Sequence, residues 1–74
     1  MRVISLPEFA TRQSGVIDRF TDDRLAVKMM SMGVFPGRTI ELVRKTSFGD
    51  TLYVLVDKRA LAIRKKEASC ILLK

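Results

Sequence analysis

The run Met32-Gly33-Val34-Phe35-Pro36-Gly37 constrains this chain more than any other stretch. A helical pattern stops at its first glycine, and a strand pattern begins just after its second. Gly33 has no β-carbon and closes a helix in the left-handed conformation without penalty. Pro36-Gly37 fits the central positions of a type II turn, with Gly37 supplying the positive φ. Any fold for this chain must therefore turn from helix to sheet within a few residues.

The flanking pattern fills in the rest. Thr21-Asp22-Asp23 offers a helix start, with Thr21 or Asp22 as cap and carboxylates in the first turn. The spacing predicts a helix to about Met32, with Leu25, Met29 and Met32 forming one buried stripe. Val27, Met30 and Val34 fall off that stripe, so the segment is more apolar than one buried face requires. Before the helix, Ser14 to Phe20 reads as a glycine-opened strand whose imperfect alternation suits a curved path. After it the period switches to two. Thr39 to Lys45, Thr51 to Val56, Ala60 to Arg64 and Cys70 to Leu73 read as strands. Ser47-Phe48-Gly49-Asp50 and Asp57-Lys58-Arg59 are the turns between the middle three, and Lys65 to Ala68 is a short helical turn. Near the start, Ser5 caps a single helical turn, with Pro7 early in it and Glu8 three residues on. Five short strands and one α-helix, joined by short loops, predict a mainly β fold: a small, strongly bent barrel.

Size and composition exclude whole classes of function. The 74 residues make one small domain, and a chain this short buries only about 60% of its unfolded surface, leaving little room for a deep substrate cavity. With 47% hydrophobic residues the chain is too apolar for a disordered tail. Its apolar runs, Val54-Leu55-Val56 and Ala60-Leu61-Ala62-Ile63, are too short to cross a bilayer. The start lacks a signal-peptide core, Arg2 stands where myristoylation needs glycine, and Cys70 is not placed for prenylation. The expected location is the cytoplasm, with any membrane association peripheral and through a partner. Cys70 is the only cysteine, beside Ile71-Leu72-Leu73, and reads as a buried structural thiol. There is no histidine to serve as base for a catalytic thiol, and the same absence weakens any metal site, since zinc sites want Cys and His at short spacings. No catalytic, cofactor or metal residue is assigned, and the protein is expected not to be an enzyme. Asp22-Asp23 serves the helix N-terminus, and Met29, Met30 and Met32 suit a soft metal less than they suit a core.

The formal charge of +6 is uneven: residues 1–37 carry five basic and four acidic residues, residues 38–74 nine and four. The basic half suits either a solvated sheet face or an anionic partner, whether nucleic acid, membrane surface or acidic protein.

In order and spacing, several pieces together resemble the FeoA family. They are Leu6 with Gly15-Val16-Ile17, the block from Leu25 through Met32-Gly33-Val34-Phe35-Pro36-Gly37, Gly49-Asp50, and Leu61-Ala62-Ile63-Arg64 with Glu67-Ala68 and Ile71. Met32 stands where leucine is usual, and Asp57-Lys58-Arg59 lacks a glycine often found there. The resemblance spans nearly the whole chain and implies one SH3-like domain over residues 1–74, a five-stranded SH3-like barrel. It further implies an accessory role in bacterial ferrous iron uptake, with the membrane iron-transport GTPase of the FeoB type as partner. The fold is also similar to the C-terminal module of iron-dependent repressors. A chain that begins at Met1 without a helix-turn-helix is not expected to be an intact repressor.

Three binding modes compete. A proline-peptide groove needs aromatics, and the chain has no tryptophan, only Tyr53 and four phenylalanines, most at core or turn positions. RNA binding has Arg44-Lys45 and Arg64-Lys65-Lys66 as a basic patch but no evident stacking platform. Protein docking has Val27 and Met30 off the buried stripe, Val34 and Phe35 beside them, and Arg24 and Lys28 at the border. That cluster is either a partner surface or is covered by the sheet or by self-association.

Overall fold

The computed structural model describes residues 3–74; Met1 and Arg2, part of the terminus read for targeting signals, lie outside them. The strands are β1 (Ile4–Ser5), β2 (Ser14–Phe20), β3 (Thr39–Lys45), β4 (Thr51–Val56), β5 (Arg59–Arg64) and β6 (Ile71–Leu73). Helix α1 covers Asp23–Ser31, α2 is the short turn Lys65–Ala68, and a 3-10 turn occupies Leu6–Glu8. All neighbouring strands are antiparallel, in the order β1-β6-β2-β3-β4-β5.

Two expectations change here. The sheet has six strands, because Ile4 and Ser5 pair with Leu73 and Leu72. Two residues are too few to show a period, so no periodicity marks this strand. The strand order also has two ends, β1 and β5, so hydrogen bonding does not close the sheet of the expected barrel. Its bend comes from β2, which pairs with β3 through Ser14–Val16 and with β6 from Ile17 onward. A register shift between Ile17 and Arg19 breaks the alternation there, so that Ile17 is buried and Phe20, three residues on, also packs on the core.

The core is apolar throughout, with no buried polar or charged residue among the described ones. Ile40 and Leu42 of β3, Leu52, Val54 and Val56 of β4, and Ile63 of β5 point inward, meeting Leu6, Phe9, Met29 and Ile71. Leu25, Met29 and Met32 face this core as their spacing predicts, with Met29 fully buried. Ser5 stands at the N-cap of the first turn as expected, and Glu8 Oε2 accepts from its backbone N–H at 2.8 Å and from its hydroxyl at 3.0 Å. Cys70 is buried, and desolvation raises its thiol pKa.

Candidate protein-docking site

Helix α1 is fixed at both ends by local chemistry. The Asp22 carboxylate accepts from the backbone N–H of Arg24 at 2.9 Å and of Leu25 at 3.1 Å, giving the predicted N-cap. At the other end Met32 is the C-cap and Gly33 has φ +89°. The N–H of Val34 reaches the Met29 carbonyl and that of Gly33 the Met30 carbonyl, both at 3.0 Å, which is a Schellman motif.

This motif corrects one of the expected site residues. Val34 is fully buried, not solvent-facing. The Schellman turn folds the residue after the glycine back onto the helix, where an apolar side chain meets the one five positions before it. Here those are Val34 and Met29, both fully buried in one core cluster. The signal was present in Met29…Gly33-Val34 and follows from the same cap chemistry that ends the helix.

The other named residues divide between two places. Arg24, Val27 and Lys28 are exposed on α1, with Val27 at 66% the most exposed apolar residue of the helix. Met30 is half-buried. Lys28 pairs with Glu67 of α2, and this hydrogen bond, helped by the Arg64 backbone N–H, holds the Glu67 carboxyl below its ordinary value. Phe35 lies instead on the connection to β3, 37% exposed. Its carbonyl accepts from Arg38 N–H at 3.2 Å across Pro36 and Gly37 (φ +90°), the expected type II turn.

Phe35 borders a cleft of about 180 Å³ between the end of α1 and the β4–β5 turn. Met32, Val56 and Leu61 contribute its apolar lining, and Arg38, Asp57 and Arg59 its charged lining. The Arg38 guanidinium sits 5.3 Å from the centre of the Phe35 ring and pairs with Asp57. Arg59 Nη2 donates to the Met32 carbonyl at 3.3 Å, placing a cation at the negative end of the helix. Sequence reasoning missed Arg38, Asp57, Arg59 and Leu61. No local pattern links them to Phe35, since the contact between Arg59 and Met32 spans 27 residues.

The two basic clusters lie on β3 and at the junction of β5 and α2, with β4 between the two strands. Arg44 stacks on Tyr53, 4.7 Å from the ring centre, across the outer face of the sheet. Lys45 Nζ donates to the Pro7 carbonyl at 2.8 Å. Among the described residues no three of His, Cys, Asp and Glu come together as a metal site, and no helix is long and apolar enough to cross a membrane.

Chemically, the arrangement offers an apolar recess with two guanidinium groups and a partly exposed aromatic ring, suited to gripping a side chain. The model of the FeoA domain matches residues 4–74. A FeoA-like protein from Clostridium acetobutylicum is 28% identical, with a TM-score of 0.88, over 100% of this chain and 87% of that one. The zinc-complexed FeoA of Stenotrophomonas maltophilia, described as a prokaryotic SH3 domain protein and put forward as a ferrous iron transport activating factor, is 24% identical. Its TM-score is 0.81, over 96% of this chain and 89% of that one, a likeness of fold. A manganese-dependent transcriptional repressor in complex with manganese shares the fold at a TM-score of 0.89 and 14% identity, all of this chain matching 37% of that one. No curated protein matches.

Proposed function

The chain belongs to the FeoA family, and on that premise we propose that it is a non-enzymatic accessory protein of bacterial ferrous iron uptake, acting in the cytoplasm by docking on the membrane iron-transport GTPase of the FeoB type. One observation carries the docking part of this reading. A small domain with a fully apolar core still leaves Val27 and Phe35 partly or largely exposed, Phe35 at the mouth of a cleft bordered by Arg38 and Arg59. Exposed apolar side chains beside guanidinium groups are the ingredients of a protein contact. The 28%-identical FeoA-like relative and the transport-activating role put forward for the Stenotrophomonas protein support the choice of pathway.

The test is capture of this protein by the immobilised cytoplasmic portion of the transporter, at low and high salt. Binding is expected to weaken with salt without being lost, because apolar contacts at Val27 and Phe35 are joined by exposed cations. Phe35→Asp is expected to weaken it by about tenfold or more, as loss of an aromatic anchor does, and Val27→Asp by less. Both positions are exposed, so both variants are expected to stay folded, as checked by circular dichroism. Folded variants that bind like the parent protein would place docking on another face.

A further inference from the structure

Strand β5 ends the sheet and pairs on one side only, with β4. The register shows which of its backbone groups are left over. The two-residue turn Asp57-Lys58 sets Val56 opposite Arg59 as the pair next to the turn. Hydrogen-bonded pairs alternate from there, so Arg59, Leu61 and Ile63 bond to β4, while Ala60 and Ala62 aim their N–H and C=O groups off the sheet edge. Arg64 follows the same alternation, and its N–H is taken by Glu67 Oε1 at 3.3 Å.

What surrounds this edge limits what can lie on it. Ala60 and Ala62 are exposed and small, so no side chain guards the backbone between them. Leu61, on the opposite face, lines the cleft described above together with Arg59. The segment from Lys58 to Lys66 holds five cations and no carboxylate. None of the five lies within ion-pair distance of a carboxylate among the described residues. A second copy pairing edge to edge would set these cations against their own equivalents, which opposes self-association through β5.

We propose that β5 is a docking edge for an extended acidic segment of a partner protein, which adds as a further strand beside Ala60 and Ala62 and sets one apolar side chain into the cleft at Arg59 and Leu61. The backbone rungs supply affinity, the cleft selects one apolar side chain, and the cations select carboxylates on the flanking positions. This deepens the docking reading by giving the partner segment its chemistry and its mode of attachment.

The probe is a blocked twelve-residue peptide alternating glutamate with valine and leucine; the same peptide with lysine for glutamate is the control. Titration with the glutamate peptide is expected to protect the Ala60 and Ala62 amides from hydrogen exchange, and the control is expected not to bind. Ala62→Pro removes one outward N–H without touching the β4 ladder, as edge prolines do. It is expected to weaken the peptide by about tenfold, the scale of one backbone rung. The double variant Lys58→Glu/Arg64→Glu leaves every backbone rung in place and is expected to abolish the preference for glutamate. Equal binding of the two peptides, protection elsewhere than β5, or peptide binding unchanged in a folded Ala62→Pro protein overturns the proposal. So does a uridine dodecanucleotide that protects the same amides better than the peptide, which would make the edge a nucleic-acid site. Transporter capture is scored separately. Capture unchanged by Ala62→Pro overturns β5 as the docking edge and leaves the transporter reading standing. Peptide binding that depends on Ala62, with no capture by the parent protein, sustains the edge and overturns the transporter reading.

Discussion

The hairpin joining β3 to β4 ends in open solvent, whereas the one joining β4 to β5 ends against the helix. At the first tip Phe48 is 94% exposed and Gly49 has φ +72°. That turn is held by its own bonds: Gly49 N–H to the Thr46 carbonyl at 2.9 Å, and the Thr46 hydroxyl to the Asp50 carboxylate at 2.6 Å. At the second tip Asp57 and Lys58 both have positive φ, +50° and +68°, and neither is glycine. Left-handed backbone costs a non-glycine residue about 1–2 kcal/mol. A two-residue type I′ hairpin turn requires positive φ at both central residues, and tertiary contacts flank it here. Asp57 pairs with Arg38, and Arg59, next to the turn, reaches the carbonyl of Met32 at the C-cap of α1. The free hairpin thus has a glycine at its positive φ, and the tethered one has none where tertiary contacts, and the candidate docking cleft, lie.

The contrast is open to attack at several points. The largest effect is expected beneath the tethered side. Met29→Ala, under the helix and against Val34, should lower stability by about 2–5 kcal/mol, while Phe48→Ser at the free tip should change it by less than about 0.5 kcal/mol. Urea midpoints measure both, and a comparable loss from the two would break the comparison. Next come the two glycines. A β-carbon on Gly33 would lie 3.0 Å from Arg59 Nη1, whereas one on Gly49 would meet nothing within 4 Å. Both have positive φ, so each alanine costs about 1 kcal/mol or more, and Gly33→Ala should exceed Gly49→Ala by the displacement of Arg59. Equal values would show that Arg59 moves aside freely.

A smaller, opposite effect is expected in the strained turn itself. Lys58→Gly relieves the left-handed backbone without removing the Arg38–Asp57 pair and should stabilise by about 0.5–1 kcal/mol. The smallest effect is electrostatic. Lys28 holds Glu67 below the ordinary 4.5, so the contribution is fully present above that value and fades as pH falls through the lower folded one. Lys28→Met should raise the Glu67 midpoint in a carbon-detected NMR titration and reduce this pH dependence to the part left by Arg64.

Much of this fold was legible locally. The Asp22 cap, the Leu25/Met29/Met32 stripe, the Gly33 stop, the type II turn at Pro36-Gly37 and the inward Ile40 and Leu42 each rest on a periodicity or a cap within a few residues. The site was legible only in part. Val27 is exposed as its off-stripe position suggests and Phe35 as its place in the connection suggests, but off-stripe Met30 is half-buried and Val34 is buried by the Schellman turn. Strand β1 escaped notice because two residues carry no alternation, and the open edge because strand patterns do not say which strand ends a sheet.

By itself, then, the sequence determined where this chain turns from helix to sheet, which faces are apolar and where the turns fall, since backbone stereochemistry and side-chain period act over a few residues. Only the tertiary structure decided that β5 stands at an edge and that Arg38, Asp57 and Arg59 gather around Phe35. Those placements depend on how the β4–β5 hairpin returns to the end of α1, a closure between residues far apart in the chain that no local energy encodes.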